Sequence, residues 1–506
     1  MSGKKYSISN RIYHTLLLGI ISGIFITLFS YSSSPLYPYS VGRDAAFFRM
    51  AGQGMTQGML PYRDFFDMKG PYLFLIEYIA QLISYGRYGI FIVQILNLWL
   101  VLYIVDKLFL LYGIQEKRRR LFMLLPLLSI SALSFLGGNL TEEFSLVPLF
   151  SCVYICAGFI KSLENSPWKK SKLFLAGIWF GLMLGFLAFV RVTNASLIGG
   201  LMLVVVIVLI GKKQAAGILP CAAGFIAGLF VALFPPIAFY WAKGLLSEFY
   251  EAVWVLGVSY SAEQSVFYHI YQTLTYNGIR SVLILLLALF TVLPLVFRRG
   301  SFYHRLMLMM SGIFTFFAIS SGNNFYHYYA LMLPTVALGG ISLMRIVSEK
   351  PLPKKALAAS VLAASLLVCP AYMIKKDFTP MACWRDKRVQ SLEETLAKDA
   401  SGQIPDNERD SVFAYNFKAY IWLYADVYPC IKYCAWQNHY IEIMPQIEQE
   451  LQDIFASDPP KWLLLKPEPG RLPDFLNDAL ASDYKEYYSN EMYVLYRLNE
   501  ALPDAV

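Results

Sequence analysis

The sequence predicts an all-α polytopic membrane protein carrying a small C-terminal α/β domain. Three observations lead there. Of the 506 residues, 57% are hydrophobic and only 15% are charged, outside the usual range of a soluble globular chain. Apolar runs of about 17–25 residues recur along most of the length, which is what crossing a hydrocarbon core of roughly 30 Å requires. After residue 374 the character changes to charged, proline-containing sequence without such a run. A transmembrane β-barrel would instead alternate with a period of two.

Taken in order, the candidate apolar segments are 13–32, 71–85, 89–112, 121–137, 143–160, 173–190, 195–211, 217–241, 279–297, 306–321, 327–345 and 356–374. The first follows Lys4 and Lys5, is long for a signal-peptide core and lacks a small-x-small cleavage site, so it reads as a signal-anchor span. Whether 71–85 crosses decides everything after it. If it does not, the basic clusters at 117–120, 169–172, 212–213, 298–305 and 350–355 all share the side of Lys4 and Lys5, as the positive-inside bias demands. The segment is short, contains Glu77 and ends in Ser84-Tyr85-Gly86-Arg87-Tyr88. It fits a helix lying in the outer interface. About eleven spans remain, with a cytoplasmic N-terminus, in a cell-membrane protein.

The net charge of +8 sits in these short topological clusters, so it gives no support for a nucleic-acid partner. The expected division is a transmembrane domain over 1–374, with an outer loop at 33–88, and an extracytoplasmic domain over 375–506. In the latter, 411–416, 461–466 and 492–498 read as strands, while 440–456 and 471–482 read as helices. No glycine-rich phosphate loop is present. Cys152, Cys156, Cys221 and Cys369 lie in apolar runs as small packing residues. Cys383, Cys430 and Cys434 leave room for one disulfide if the tail is extracellular.

Chemistry is therefore expected at the outer face. The stretch 41–71, VGRDAAFFRMAGQGMTQGMLPYRDFFDMKGP, gathers Asp44, Asp64, Asp67, Arg43, Arg49, Arg63 and Lys69 just past the first span. Asp44 is an ionisable residue at the membrane edge, and so a functional candidate. It equally suits a helix start, where the dipole favours a carboxylate. Glu142 and Glu143, in GGNLTEEFS, occupy the next outer turn. Either is an ordinary first-turn acid behind a Thr141 cap, or the two turns cooperate as a base and an orienting or metal-binding group. Lys69 suits the phosphate of a lipid at headgroup level, with plain snorkelling as the simpler reading. Arg191, in FLAFVRVTNAS, is costly at the outer end of a span unless paired or facing a cavity. His327 opens a late span among tyrosines, where an interface residue is commoner than a catalyst. Gly177, Gly181 and Gly185, like Gly224 and Gly228, form small-xxx-small ridges for helix packing. Asp64 and Asp67 read as loop structure.

The ordered set of one span, an acid-led outer loop, G-x-x-PYRDFFDxKGP, NLTEE, AFVRVTN and HYYALMLP resembles the GT-C superfamily of membrane glycosyltransferases. It is most similar to the polyprenyl-phosphate-sugar users related to protein O-mannosyltransferases and the bacterial aminoarabinose transferase, over roughly residues 12–345. The resemblance implies inverting transfer of a hexosyl or pentosyl group from a polyprenyl-phosphate sugar to a cell-envelope acceptor. It implies Asp44 as the acid that activates the acceptor hydroxyl, and Glu142 or Glu143 as the second-loop acid assisting the acceptor or a divalent cation. A metal, if used, would fall to Asp44 and Glu143. Lys69 stands where the pattern places a carrier-phosphate contact, although Lys-Gly-Pro replaces Lys-Pro-Pro. Arg63, Arg191 and His327 are further phosphate or sugar candidates. Two rival readings share the fold class: a flippase for lipid-linked glycans, which would bury charges mid-membrane, and a non-catalytic assembly subunit.

Overall fold

A computed structural model describes residues 8–163, 167–262, 265–298, 300–322, 325–349, 351–375 and 379–499. Lys4, Lys5, Arg299, Lys350 and the side chain of Cys369 lie outside the described set. In chain order the helices are α1 (Ile8–Phe29), α2 (Asp44–Thr56), α3 (Pro71–Ile83), α4 (Arg87–Leu111), α5 (Lys117–Ser134), α6 (Thr141–Ser162), α7 (Lys170–Arg191), α8 (Ser196–Gly211) and α9 (Ile218–Ala242). There follow α10 (Leu246–Tyr250), α11 (Gly257–Ala262), α12 (Val266–Thr275), α13 (Ile279–Val296), α14 (Phe302–Ile319), α15 (Leu333–Glu349) and α16 (Leu352–Lys375). The C-terminal part adds α17 (Thr379–Arg385), α18 (Lys387–Ser401), α19 (Tyr420–Ala425), α20 (Gln437–Ile443), α21 (Gln446–Ser457) and α22 (Asp474–Ser482).

Among the described residues, eight segments are long and apolar enough to cross a membrane. The protein is a multi-pass membrane protein. The sequence count of about eleven differs for identifiable reasons. Lys170–Gly211 counts as one segment of 42 residues, yet it holds α7 and α8, separated by a 3-10 turn at Val192–Ala195. The other two expected spans fall on α5 and α16, which are not among the eight. The first turn of α5 is Lys117-Arg118-Arg119-Arg120, which lowers its apolar content. With 13 residues, α3 extends about 20 Å at 1.5 Å per residue, too short for a core of roughly 30 Å.

The chain divides into two compact units: Met1–Ser30, Phe91–Phe239 and Gln264–Met381 form the first, and Tyr31–Ile90, Tyr240–Glu263 and Ala382–Val506 the second. The first is a helical bundle. Its glycine ridges meet face to face: a Cβ at Gly181 would lie 2.0 Å from the Phe225 carbonyl oxygen, and one at Gly228 2.0 Å from that of Ile178. The α7 and α9 backbones thus touch along both ridges, an approach only glycine permits. A buried ionic cluster ties three helices of this unit, with Asp106 accepting from His14 Nε2 at 2.8 Å and Arg120 Nε at 2.6 Å.

The second unit packs α2 on α3, where a Cβ at Gly52 would meet the Glu77 Cβ at 2.8 Å. Its C-terminal part holds a four-stranded sheet of β1 (Val412–Ala414), β2 (Trp462–Leu465), β3 (Tyr484–Ser489) and β4 (Val494–Leu498) in the order β1-β2-β4-β3. The first pair is parallel and the other two antiparallel. The three expected strands are all present. The fourth, YKEYYS, is largely exposed and polar, so it lacked the apolar signature that reveals a strand. The helix expected over 440–456 is two helices, broken at Pro445, whose ring and missing N–H prevent continuation. Cys383, Cys430 and Cys434 are free thiols rather than disulfide partners. The Cys430 Sγ instead donates to the Val412 carbonyl.

Candidate functional site

The sequence-derived site residues fall into two clusters, one in each unit. In the first unit the turn before α6 carries four consecutive left-handed residues, Leu136, Gly137, Gly138 and Asn139 (φ 46°, 88°, 71° and 61°). Gly138 suits this turn: its φ of +71° strains any other residue, and a Cβ there would lie 2.5 Å from the Phe135 ring and 2.3 Å from Gln94 Nε2. The turn presents the Asn139 N–H to Glu143 Oε2 at 2.7 Å, and Gln94 Nε2 donates to the same oxygen at 2.8 Å. Asn97 donates to the Glu143 carbonyl at 2.9 Å. Glu143 is therefore tied into the loop through one oxygen, while Oε1 has no hydrogen-bond partner among the described residues.

Glu142 points elsewhere. Its Oε1 accepts from Arg191 Nη1 at 2.7 Å, and its Oε2 lies 3.9 Å from His327 Nε2. The guanidinium of Arg191 stacks on Tyr328 at 4.0 Å, and His327 lies parallel to Phe325 with ring centroids 5.5 Å apart. Pairing and stacking explain how an Arg persists at the end of an apolar helix. The structure thus pairs Glu142 with Arg191 and sets it beside His327, while Glu143 is bonded to its own turn and to Gln94. A cavity of about 20 Å³, lined in part by Glu142, Glu143 and His327, has room for one water.

In the second unit Asp44 is the first residue of α2, half-buried. No hydrogen bond or ion pair holds its carboxylate among the described residues. Lys69 lies at the end of a tight loop. Tyr62, at φ +71°, accepts strain that only surrounding packing can sustain. Its ring is clamped against Phe74, Tyr240 and Phe249 at 5.1–6.1 Å, and its hydroxyl donates to the Lys69 carbonyl at 2.8 Å. The Lys69 ammonium stays one-fifth exposed, 3.9 Å from Asp67 Oδ1. Arg63 is about half exposed and forks onto Asp64, whose Oδ2 also accepts the Leu60 N–H at 2.7 Å. Arg63 and Asp64 thus brace the loop from outside.

Asp67 behaves differently from Asp64. It is 5% exposed, accepts the Lys69 N–H at 2.8 Å and the Tyr440 hydroxyl at 3.3 Å. Burial pushes its carboxyl above the ordinary range, Lys69 pulls it back and the Asp44 charge adds to the rise. Sequence reading also passed over Arg280, held between the rings of Tyr276 and Tyr326 at 4.0 and 4.2 Å. Its Nε and Nη1 have no hydrogen-bond partner among the described residues. In the orientation expected from the basic clusters, an Arg at this end of a span runs against the positive-inside bias, and that was the signal available.

No family model and no curated relative matches the chain. Solved structures do. The ArnT protein of Cupriavidus metallidurans, bound to undecaprenyl phosphate, is similar with a TM-score of 0.60 at 12% identity, over 97% of this chain and 98% of that one. The fold is similar to that of ArnT over nearly the whole of both chains. Its apo form matches with a TM-score of 0.59 at 12% identity, over 96% and 98%. The oligosaccharyltransferase AglB of Archaeoglobus fulgidus, in complex with an inhibitory peptide and a dolichol-phosphate, matches at 0.47 and 12% identity, over 91% and 70%. At these identities the likeness is one of fold, so the chemistry rests on this chain's own residues. Among the described residues no group of three or more His, Cys, Asp or Glu is placed to hold a metal ion.

Proposed function

We propose that this protein is an integral membrane glycosyltransferase that moves a sugar from a polyprenyl-phosphate donor to a cell-envelope acceptor by direct, inverting displacement. The observation that carries the reading is Asp44: a half-buried carboxylate at a helix start, bound to nothing among the described residues, in the same unit as a loop-presented Lys69. A base must be free to take a proton, whereas a carboxylate already paired is a poor one. In the proposed step the acceptor hydroxyl gives its proton to Asp44. Its oxygen bonds the anomeric carbon, and the carbon–oxygen bond to the lipid phosphate breaks with its electron pair on the phosphate. Lys69 meets that developing charge. The proposal places the N-terminus in the cytoplasm and the sheet-bearing domain outside the cell membrane. The undecaprenyl phosphate held by the structurally similar ArnT supports a donor of this class.

The test is incubation of the purified full chain with several polyprenyl-phosphate sugars and candidate acceptors. Release of the free lipid phosphate, dependent on acceptor, is expected. Movement of intact lipid-linked sugar across a vesicle, without release, would replace this reading with the flippase.

A further inference from the structure

A second polar site lies in the second unit, and none of Asp44, Arg63, Asp67 or Lys69 lines it. A cavity of about 200 Å³ opens among Arg49, Arg87, Tyr85, Tyr428, Glu394 and Asp426. Arg49 projects from α2 and is 8% exposed. None of its N–H groups donates a hydrogen bond among the described residues, and its Nε is wholly buried. Arg87 is different, since its guanidinium donates to the carbonyls of Tyr37 at 2.5 Å and Ser40 at 2.7 Å. That anchors a second positive charge at the same wall. Burial and then the neighbouring Arg87 push the Arg49 pKa down to about 10, while Glu77 holds it up. Buried N–H groups of this kind rarely stay unmade, and leaving a charged donor unsatisfied costs more than a neutral one.

The opposite lining is suited to hydroxyls. The Tyr85 and Tyr428 hydroxyls share a hydrogen bond at 3.2 Å, Glu394 accepts from Lys398 at 2.6 Å, and Asp426 is exposed at the left-handed residue that ends α19. Trp422 and Tyr424 add flat rings to the wall. We propose that this cavity binds a small hydroxylated anion, of the size and class of a sugar acid or sugar phosphate, with its carboxylate or phosphate on Arg49. A planar guanidinium with free N–H groups matches either oxyanion in two-point fashion. The carboxylates and phenols at the rim would take the hydroxyls. The inference stands apart from the transfer reading, because it needs neither a lipid donor nor Asp44.

The test uses the full chain in detergent, titrated by calorimetry with glucuronate, glucose 6-phosphate, glucose and inorganic phosphate. Saturable binding of the two anionic sugars is expected, with a Kd below about 1 mM, and the preferred one tells carboxylate from phosphate. Glucose and inorganic phosphate should each bind at least about tenfold more weakly. Arg49→Gln should abolish the binding, and Asp426→Asn, on the exposed rim, should weaken it severalfold without touching the buried arginine. Transfer activity, if present, should persist in both variants. Absence of saturable binding by the wild type means a water-filled cavity and overturns the proposal. So does equal binding by Asp426→Asn and the wild type, or inorganic phosphate binding as tightly as glucose 6-phosphate.

Discussion

At the scale of single residues, partnership separates the candidate acids. Asp44 is unpartnered among the described residues, Glu142 is salt-bridged and Glu143 is tied into its own turn. Asp44→Asn should lower transfer by about 10²–10⁴-fold with folding intact, and Lys69→Ala should chiefly raise the KM for donor; unchanged steady-state kinetics in either would remove that residue's role. The Glu142–Arg191 pair makes a stability prediction. Arg191→Gln leaves a buried carboxylate without its cation, a loss of about 3–5 kcal/mol. The double variant Glu142→Gln/Arg191→Gln should recover much of it in detergent thermal unfolding. Asp67 predicts a pH dependence. Its folded pKa is raised above the ordinary 3.8, so its contribution is present below that value and is lost as pH climbs through the folded pKa. Asp67→Asn should therefore unfold at a higher temperature than the wild type at pH 7, with the gap closing toward pH 4. A gap that stays constant across this range means Asp67 does not ionise against its burial. The sequence showed all these side chains but not their pairing: Asp64 and Asp67 look alike in RDFFDMK, and only the fold buries the second.

At the scale of elements, the sequence was most informative where period and composition agree. Long apolar runs became helices, and both glycine ridges read from small-xxx-small spacing became one contact between α7 and α9. Gly181→Leu should destabilise by about 1–3 kcal/mol or more, because the obstructing atom is a backbone carbonyl 2.0 Å from the new Cβ. Thermal unfolding checks this, and Gly158→Leu, where a Cβ meets nothing within 4 Å, should be nearly silent. The shortness of α3 was also legible, since its start at Gly70-Pro71 and its end before Ser84 are marked in the chain. The positive φ of Leu136 and of the strained Tyr62 was not. Leu and Tyr have no preference for positive φ, so the conformation is imposed by packing and by Glu143 across the turn.

At the scale of the molecule, the distribution of Lys and Arg orders the spans and predicts which loops face outward. Asp406, 94% exposed in its side chain, is expected outside, and Arg118 inside. Asp406→Cys should react with a membrane-impermeant thiol reagent in intact cells, and Arg118→Cys only after permeabilisation. The reverse pattern would invert the topology and move the proposed chemistry to the cytoplasm. By itself the sequence determined the membrane class, the long apolar helices and the change of character after residue 374. These follow from local composition and period, which any stretch of chain carries within itself. Tertiary structure decided that residues 31–90, 240–263 and 382–506 condense into one unit, that Glu142 rather than Glu143 meets Arg191 and His327, and that Arg49 faces a cavity. Pairing and burial depend on what distant segments bring alongside a residue, and no local pattern in the chain records that.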